Sequence, residues 1–298
     1  MTLITRDKNS YFHSSYHAYT NEPGLVVLLL PAHDEAATIR DVVARAPSSA
    51  AGHPVEVLVV DDGSTDGTGE LAAHAGALVL RHPSKLGLGA AVRSGLREAV
   101  RLGAVAIAFC DADGEYAPEE LEKIVAPILA GEADYVVGSR FTGTIRRMRP
   151  WRRVGNRLLT RILAILLRVR ITDAQSGYRA LSRLAAMSAE ISHDYNYAQV
   201  LTIDLVRKGF RYAEVPISYS FRRHGRSFVR PVTYLRRVLP AVVRAMAAPT
   251  TPSADAPSAR TGVGASGWSP FRPDVTVMPD GPGTETVGRS TACSGHLC

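Results

Sequence analysis

Unbroken apolar runs alternate, through the first half of the chain, with stretches in which apolar residues recur every three or four positions. Leu25-Val26-Val27-Leu28-Leu29-Leu30 is such a run, the pattern of a strand buried on both faces of a mainly parallel sheet. Pro31 ends it, and Asp34 is the expected N-cap of a helix reaching about position 46. Further strands are predicted at 55–60, 78–80, 105–110 and 135–137, with helices at 70–75, 90–102 and 118–130. Strands and helices alternating at this spacing predict a doubly wound α/β sheet. Ligands of such sheets bind outside the carboxyl ends of the strands. Those ends carry His33 to Glu35, Asp61-Asp62, Asp111 to Glu115 and Ser139-Arg140.

The second half changes character. A helix is predicted at 154–170, with Leu158, Leu159, Ile162, Ile165, Leu166 and Val169 on a broad apolar side broken by Arg157, Arg161 and Arg168. The pattern leaves open whether it packs wholly in the core or lies on a surface. A polar loop at 172–179 precedes a short helix, a longer helix follows at 194–208, and 212–221 is a strand whose Pro216 suits a sheet edge. Residues 232–246 alternate apolar residues with Arg236, Arg237 and Arg244, the pattern of a basic amphipathic helix. The expected organisation is a loose arm at 1–22, one α/β domain at 23–230, the amphipathic helix at 231–248 and a disordered tail at 249–298, where Pro, Ser, Thr, Gly and Ala dominate.

The net charge of +7 sits unevenly, with arginines crowded at 140–170 and 207–244, which calls for an anionic partner. Cys110, Cys293 and Cys298 make no metal or disulfide framework, consistent with a reducing compartment. The first twenty residues lack the apolar core of a secretory signal, and no apolar run is long enough to span a bilayer. The expectation is a cytoplasmic protein whose membrane contact is peripheral.

Chemistry concentrates at Asp111-Ala112-Asp113-Gly114-Glu115. Alternate residues of an extended segment project to one side, so Asp111, Asp113 and Glu115 are candidates to converge on one hard cation such as Mg2+ or Mn2+. A plain acidic turn is the alternative.

With these residues placed, the chain resembles family 2 glycosyltransferases of the GT-A fold, most closely their polyprenyl-phosphate branch, typified by dolichol-phosphate mannose synthases. Six motifs stand in the family's order: Pro31-Ala32-His33-Asp34-Glu35, Asp61 through Thr68, Lys85-Leu86-Gly87-Leu88-Gly89, Asp111-Ala112-Asp113, Gly138-Ser139-Arg140 and Asp173 through Arg179. The resemblance, which covers about 25–227, implies a nucleotide-diphosphate sugar as donor and a polyprenyl phosphate as acceptor. It implies that one Asp of the Asp61-Asp62 pair, with Glu35 and the Pro31 backbone, binds base and ribose, with His33, Lys85 and Ala112 in the same pocket. Asp111 and Asp113 would hold the cation bridging the diphosphate. Glu115 stands where relatives often have Gln and is a possible third ligand. Arg140, with Arg146, Arg147, Arg152 or Arg153, would meet the acceptor phosphate. Arg222, Arg223 and Arg226 would close over the diphosphate, and Gln175, Ser176 and Tyr178 would shape the acceptor site or cap a helix.

Transfer to an alcohol needs a general base, for which the sequence offers only Asp173 and Asp194. A phosphate monoester, with a second pKa near 6, arrives ionised and needs none. The scarcity of bases beside so many arginines favours a phosphate acceptor, with GDP-mannose the family's commonest donor. Other readings fare worse. A dinucleotide-dependent oxidoreductase or a nucleotidyltransferase wants a glycine-rich turn after the first strand, where this chain has Pro31. A nucleic-acid-binding module lacks an aromatic platform or recognition motif. A hydroxyl-acceptor glycosyltransferase and a catalytically silent relative remain as alternatives.

Overall fold

The structure is a computed structural model describing residues 2–4, 23–148, 150–194, 197–221, 240–247 and 276–277. Strands are β1 (Thr2–Ile4), β2 (Val26–Ala32), β3 (Ser49–Ala50), β4 (His53–Asp61), β5 (Leu78–Arg81), β6 (Ala106–Phe109), β7 (Tyr135–Arg147), β8 (Arg179–Ser182), β9 (Tyr212–Ser220) and β10 (Thr276–Val277). Helices are α1 (Ile39–Ala44), α2 (Thr68–His74), α3 (Leu88–Arg101), α4 (Leu121–Leu129), α5 (Pro150–Leu167), α6 (Arg183–Ser188), α7 (Ala198–Arg207) and α8 (residues 240–247).

The sheet runs β1-β5-β4-β2-β6-β8-β7-β9-β10, with β3 paired beside β4. β5, β4, β2 and β6 are parallel neighbours, and so are β7 and β9. These pairings, together with β8, which runs antiparallel between β6 and β7, make a mixed α/β sheet of the kind the resemblance to GT-A proteins implies. The strand at β8 was not predicted. Its reversal has a direct consequence: β8 begins at the edge where the parallel strands end, so the loop at 172–179 is delivered to the same edge as Asp61, Asp111 and Arg140.

Val26, Leu28 and Leu30 face one apolar layer with α1 and α4, while Val27 and Leu29 face the other with α3, α6 and α7. All five are fully buried, which is why the run is continuously apolar rather than alternating. Each such side chain contributes roughly 1.5–3 kcal/mol relative to exposure. β7 continues to Arg147, ten residues past its predicted end. Its extension pairs with β9 across irregularities after Ser139 and after Ile145. Pro216 pairs opposite Ser139, beyond the two residues of β9 that β10 covers.

One expectation needs correction. Asp34 is not a helix cap: it takes a positive φ of 53°, and α1 starts five residues later behind Thr38. The arm and the tail each supply a short edge strand, β1 against β5 and β10 against β9, because an open sheet edge offers unpaired backbone groups. The remaining arm and tail residues lie outside the described residues. Of the basic helix predicted at 232–246, the described part is α8. Ala241 is buried, Val242, Ala245 and Met246 pack on the second apolar layer, and Val243 is exposed.

Candidate active site

The ends of β2, β4 and β6 are sewn together by side-chain hydrogen bonds. Asp34 N donates to Ser64 Oγ (3.0 Å), Thr65 N to Asp34 Oδ1 (3.0 Å), Glu35 N to Thr68 Oγ1 (2.9 Å) and Ala36 N to Asp66 Oδ2 (3.0 Å). Thr38 Oγ1 donates to the Ala112 carbonyl (2.9 Å), tying the start of α1 to the acidic turn. Asp34, which fails as a cap, is thus part of the brace between two motifs.

The Asp61-Asp62 pair divides its labour. Asp61 folds beneath α2: Ser64 N donates to its Oδ1 (2.8 Å), and Oδ2 lies 3.4 Å from Arg81 Nε. A Cβ at Gly69 would stand 2.6 Å from that oxygen, so glycine is what admits the carboxylate. Asp61 thus lies beneath α2, and Asp62 is the member that faces the loop at 82–87. Its carboxylate accepts from Leu86 N (2.9 Å), Gly87 N (2.8 Å) and the His82 ring (2.7 Å), and the same ring meets Ser94 Oγ at 3.0 Å. This buried Asp62–His82–Ser94 chain was missed from sequence; two polar residues 12 positions apart carry no periodic signal. His33 donates from Nδ1 to the Asp62 carbonyl (2.9 Å). Pro31 is buried, Glu35 is half-buried and Lys85 is exposed.

Gly87, at φ 104°, opens α3. Gly89 N donates to the Asp194 carbonyl (2.8 Å), Arg93 Nη1 donates to the Ile191 carbonyl (2.7 Å), and Arg93 pairs with the Asp194 carboxylate. The segment at 191–194 is clamped over the glycine turn in this way.

At the acidic turn, Asp111 is half-buried and Ala112, Asp113 and Glu115 are buried. Asp111 Oδ2 lies where a Cβ on Gly177 would come within 2.7 Å. Glu115 N donates to Asp113 Oδ1 (3.0 Å), and Glu115 Oε2 accepts from the Tyr219 hydroxyl (2.7 Å). Among the described residues no three His, Cys, Asp or Glu side chains come together as a metal site. Glu115, expected as a third ligand, bonds towards β9 in this structure, and Gly114 at φ 74° turns the backbone out of the extended geometry that the expectation assumed. Two hard oxygen donors from Asp111 and Asp113 still fit Mg2+ or Mn2+, which bind through one or two carboxylates plus substrate phosphates.

Arg140, expected to reach the acceptor phosphate, is buried and forked onto Asp173, Nε to Oδ2 at 2.6 Å and Nη2 to Oδ1 at 2.8 Å. Burial opposes its charge, yet Tyr116 and Asp173 outweigh that and raise its pKa above the ordinary value. Asp173 is placed by Glu214 of β9, whose carboxylate accepts from Thr172 N (2.9 Å), Asp173 N (3.1 Å) and Tyr212 Oη (2.7 Å). Arg179 anchors the loop's other end, fully buried, donating to the carbonyls of Ser176 (2.8 Å), Ala174 (2.9 Å) and Ala198 (2.9 Å) and to the hydroxyls of Thr202 (2.9 Å) and Tyr135. Ser176 and Tyr178 are buried parts of this framework, and Gln175 N donates to Asp173 Oδ1 (3.2 Å).

The arginines nearer solvent are those of β7 and α5. Arg146 and Arg153 are exposed. Arg152 lies over the Phe221 ring at 5.7 Å and Arg157 over Phe141 at 5.1 Å. α5 itself settles the question its pattern left open. Thr160 and Leu163 are buried, whereas Val154 (68% exposed), Leu158 (59%), Ile162, Ile165 (67%) and Leu166 face outward. Arg222, Arg223 and Arg226 lie outside the described residues. No helix among the described residues is long and apolar enough to cross a membrane.

Residues 27–188 match the model of the family described as Glycosyl transferase family 2. Polyprenol monophosphomannose synthase of Mycolicibacterium smegmatis is 36% identical over 212 residues, covering 67% of this chain and 78% of the relative. Undecaprenyl-phosphate mannosyltransferase of Micrococcus luteus is 34% identical over 189 residues, covering 58% of this chain and 74% of the relative. Among solved structures, glucosyl-3-phosphoglycerate synthase of Mycobacterium tuberculosis, in complex with Mn2+, uridine diphosphate and glucosyl-3-phosphoglycerate, superposes with a TM-score of 0.61 at 25% identity. That match covers 76% of this chain and 82% of the other. The order of motifs along one sheet edge and these matches agree: the chain belongs to glycosyl transferase family 2.

Proposed function

We propose that the protein transfers a hexose, with GDP-mannose as the favoured donor, from a nucleotide-diphosphate sugar to a polyprenyl phosphate, inverting the anomeric carbon. One observation carries the acceptor. Both carboxylates that sequence offered as a general base are committed, Asp173 to Arg140 and Asp194 to Arg93. Asp173 is also fully buried. A hydroxyl acceptor would need such a base, whereas an ionised phosphate oxygen attacks unaided. The names of the relatives in Mycolicibacterium and Micrococcus point the same way.

In this reading the nucleoside enters between the Pro31 to Glu35 segment and the loop at 82–87. Asp62 shapes that opening by holding Leu86 and Gly87 through their N–H groups. Asp111 and Asp113 would hold a Mg2+ or Mn2+, which when bound would supply positive charge against the departing diphosphate. The phosphate oxygen of the lipid forms a bond to C1 of the sugar as the bond from C1 to the diphosphate oxygen breaks. The nucleoside diphosphate leaves and no proton moves. Arg140, forked onto Asp173, fixes the loop at 172–179 against the end of β7. The arginines of α5, Arg152, Arg153 and Arg157, take over direct contact with the lipid phosphate.

The membrane contact is supported by α5. Its outward stripe of Val154, Leu158, Ile162, Ile165 and Leu166, flanked by Arg153, Arg157 and Arg161, is an amphipathic face suited to an anionic lipid surface. The protein works there as a peripheral protein on the cytoplasmic face. The test is a panel of GDP-, UDP- and dTDP-sugars incubated with polyprenyl phosphate and Mn2+. A charged glycolipid should form, most efficiently from GDP-mannose. Transfer to hydroxyl acceptors but not to the lipid phosphate would overturn the reading.

A further inference from the structure

Both walls of the proposed nucleoside opening are tied to Asp62. Its carbonyl accepts from the His33 ring at 2.9 Å, and its N–H donates to the Ala32 carbonyl at 2.8 Å. Its carboxylate accepts from Leu86 N and Gly87 N, so it pins a loop whose residues 83–86 are exposed. Behind the carboxylate stands the buried His82, with Nδ1 2.7 Å from Asp62 Oδ1 and Nε2 3.0 Å from Ser94 Oγ of α3. An ionised carboxylate only accepts, so Nδ1 carries the proton. His82 N donates to the Asp61 carbonyl at 2.9 Å, which fixes the root of the ring. Asp, His and Ser in this order also make a nucleophilic triad. Ser94, however, lies inside α3, where the helix consumes the backbone N–H groups that an oxyanion hole would need. The ring acts on Asp62 instead.

We propose that His82 is a positioning residue for the donor nucleotide. Braced by Ser94, it fixes the plane of the Asp62 carboxylate and so holds the loop at 82–87 in its binding shape before the nucleotide arrives. The inference rests on the reading that the nucleoside enters between the Pro31 to Glu35 segment and that loop. Hydrogen bonds to a charged group are shorter and roughly twice as strong as neutral ones, so the ring is a firm partner for Asp62. Oδ1 is shared between the ring and Leu86 N, while Oδ2 takes Gly87 N. Without the ring the carboxylate turns about its last side-chain bond, and both backbone bonds lose alignment. A loop that is loose in the free protein has to be ordered on binding, and that cost is subtracted from affinity.

The measurement is calorimetric binding of GDP, UDP and dTDP to the full-length protein with Mn2+, followed with whichever wild type binds tightest, alongside hydrogen exchange at 82–89. An Asn amide nitrogen is bonded to Cγ, as His Nδ1 is, whereas a Gln amide nitrogen reaches the place of Nε2. His82→Asn therefore keeps the donor to Asp62 and His82→Gln loses it, although both shrink a buried ring and lower the melting temperature. His82→Gln should weaken nucleotide binding about tenfold, the scale of one lost charge-assisted hydrogen bond, and speed exchange at Leu86 and Gly87. His82→Asn should bind nearly as wild type does, and Ser94→Ala, which removes only the far brace, should fall between. Equal weakening by Asn and Gln would show that the ring merely fills space and would overturn the inference, as would wild-type affinity in His82→Gln. Where neither His82 variant folds, Ser94→Ala decides, and wild-type affinity in it overturns the inference. Wild-type protein that binds none of the three nucleotides, or binds one without slowing exchange at 82–89, would overturn the reading of the opening and this inference with it.

Discussion

Asp113 is fixed on one side by the Glu115 N–H and sits in a buried turn, so its carboxylate is preorganised before any substrate arrives. Loss of one preorganised charge-stabilising group typically costs ~3–4 kcal/mol of transition-state stabilisation. Asp113→Ala should therefore lower kcat by two to three orders of magnitude, on the scale of that cost, while the thermal unfolding midpoint stays near wild type. Steady-state kinetics with saturating Mn2+, alongside a melting curve, separates the two. Glu214 supplies a pH prediction. Burial raises its pKa above the usual 4.5, although hydrogen bonds from Thr172 and Tyr212 pull the other way. The folded state then holds a proton that the unfolded chain has already released, so stability falls as pH rises through that window. Stability from this group is present below 4.5 and is lost as pH climbs through the raised folded value. The melting temperature of wild type minus that of Glu214→Gln should accordingly fall from pH 4.5 towards neutrality; a rise of that signed difference with pH would contradict it. Residue identities at the strand ends were legible in the sequence because carboxylates and glycines interrupt apolar runs there. Their partners were not. Nothing in the order of residues shows that Arg140 would fork onto Asp173, 33 positions away, or that Asp61 would fold beneath Gly69.

Elements built from long periodic or continuous patterns, such as β2, β4, α3 and α4, were readable. β8 was not, because Arg179 at its start reads as a solvent residue while the fold buries it against carbonyls and hydroxyls. α5 shows the limit of periodicity itself. Its apolar positions are too many for one face, and only tertiary packing separates the buried Thr160 and Leu163 from the exposed stripe. That division yields a prediction at the same scale. Leu158→Ser with Ile162→Ser should leave the melting temperature almost unchanged, since both side chains are exposed. It should weaken sedimentation with anionic vesicles by tenfold or more, given about 1.5–3 kcal/mol for each large apolar side chain withdrawn from an apolar phase. Changing Arg153, Arg157 and Arg161 to Gln should instead remove the preference for anionic over neutral vesicles, at roughly 1 kcal/mol per arginine. Binding unaffected by both sets would mean that the stripe faces something other than lipid.

Across the whole molecule, the parallel strands end together, and the reversed β8 returns the 172–179 loop to that edge. The turn after β4, the acidic turn and the arginine framework are consequently neighbours although more than a hundred residues separate Asp61 from Asp173. The alternation of strands and helices made the sheet and its ligand edge legible, whereas the internal arrangement of charge depended on burial that no local pattern encodes. The fold leaves the carboxylates that sequence singled out as bases in ion pairs, and the acceptor assignment depends on that. The most direct measurement offers polyprenyl phosphate and the matching unphosphorylated polyprenol, in parallel, to the full-length protein with labelled GDP-mannose and Mn2+. Label should enter the phosphorylated lipid alone, as an anionic product that mild acid cleaves. Label entering the polyprenol at a comparable rate would contradict an acceptor that needs no base, and with it the account of the site.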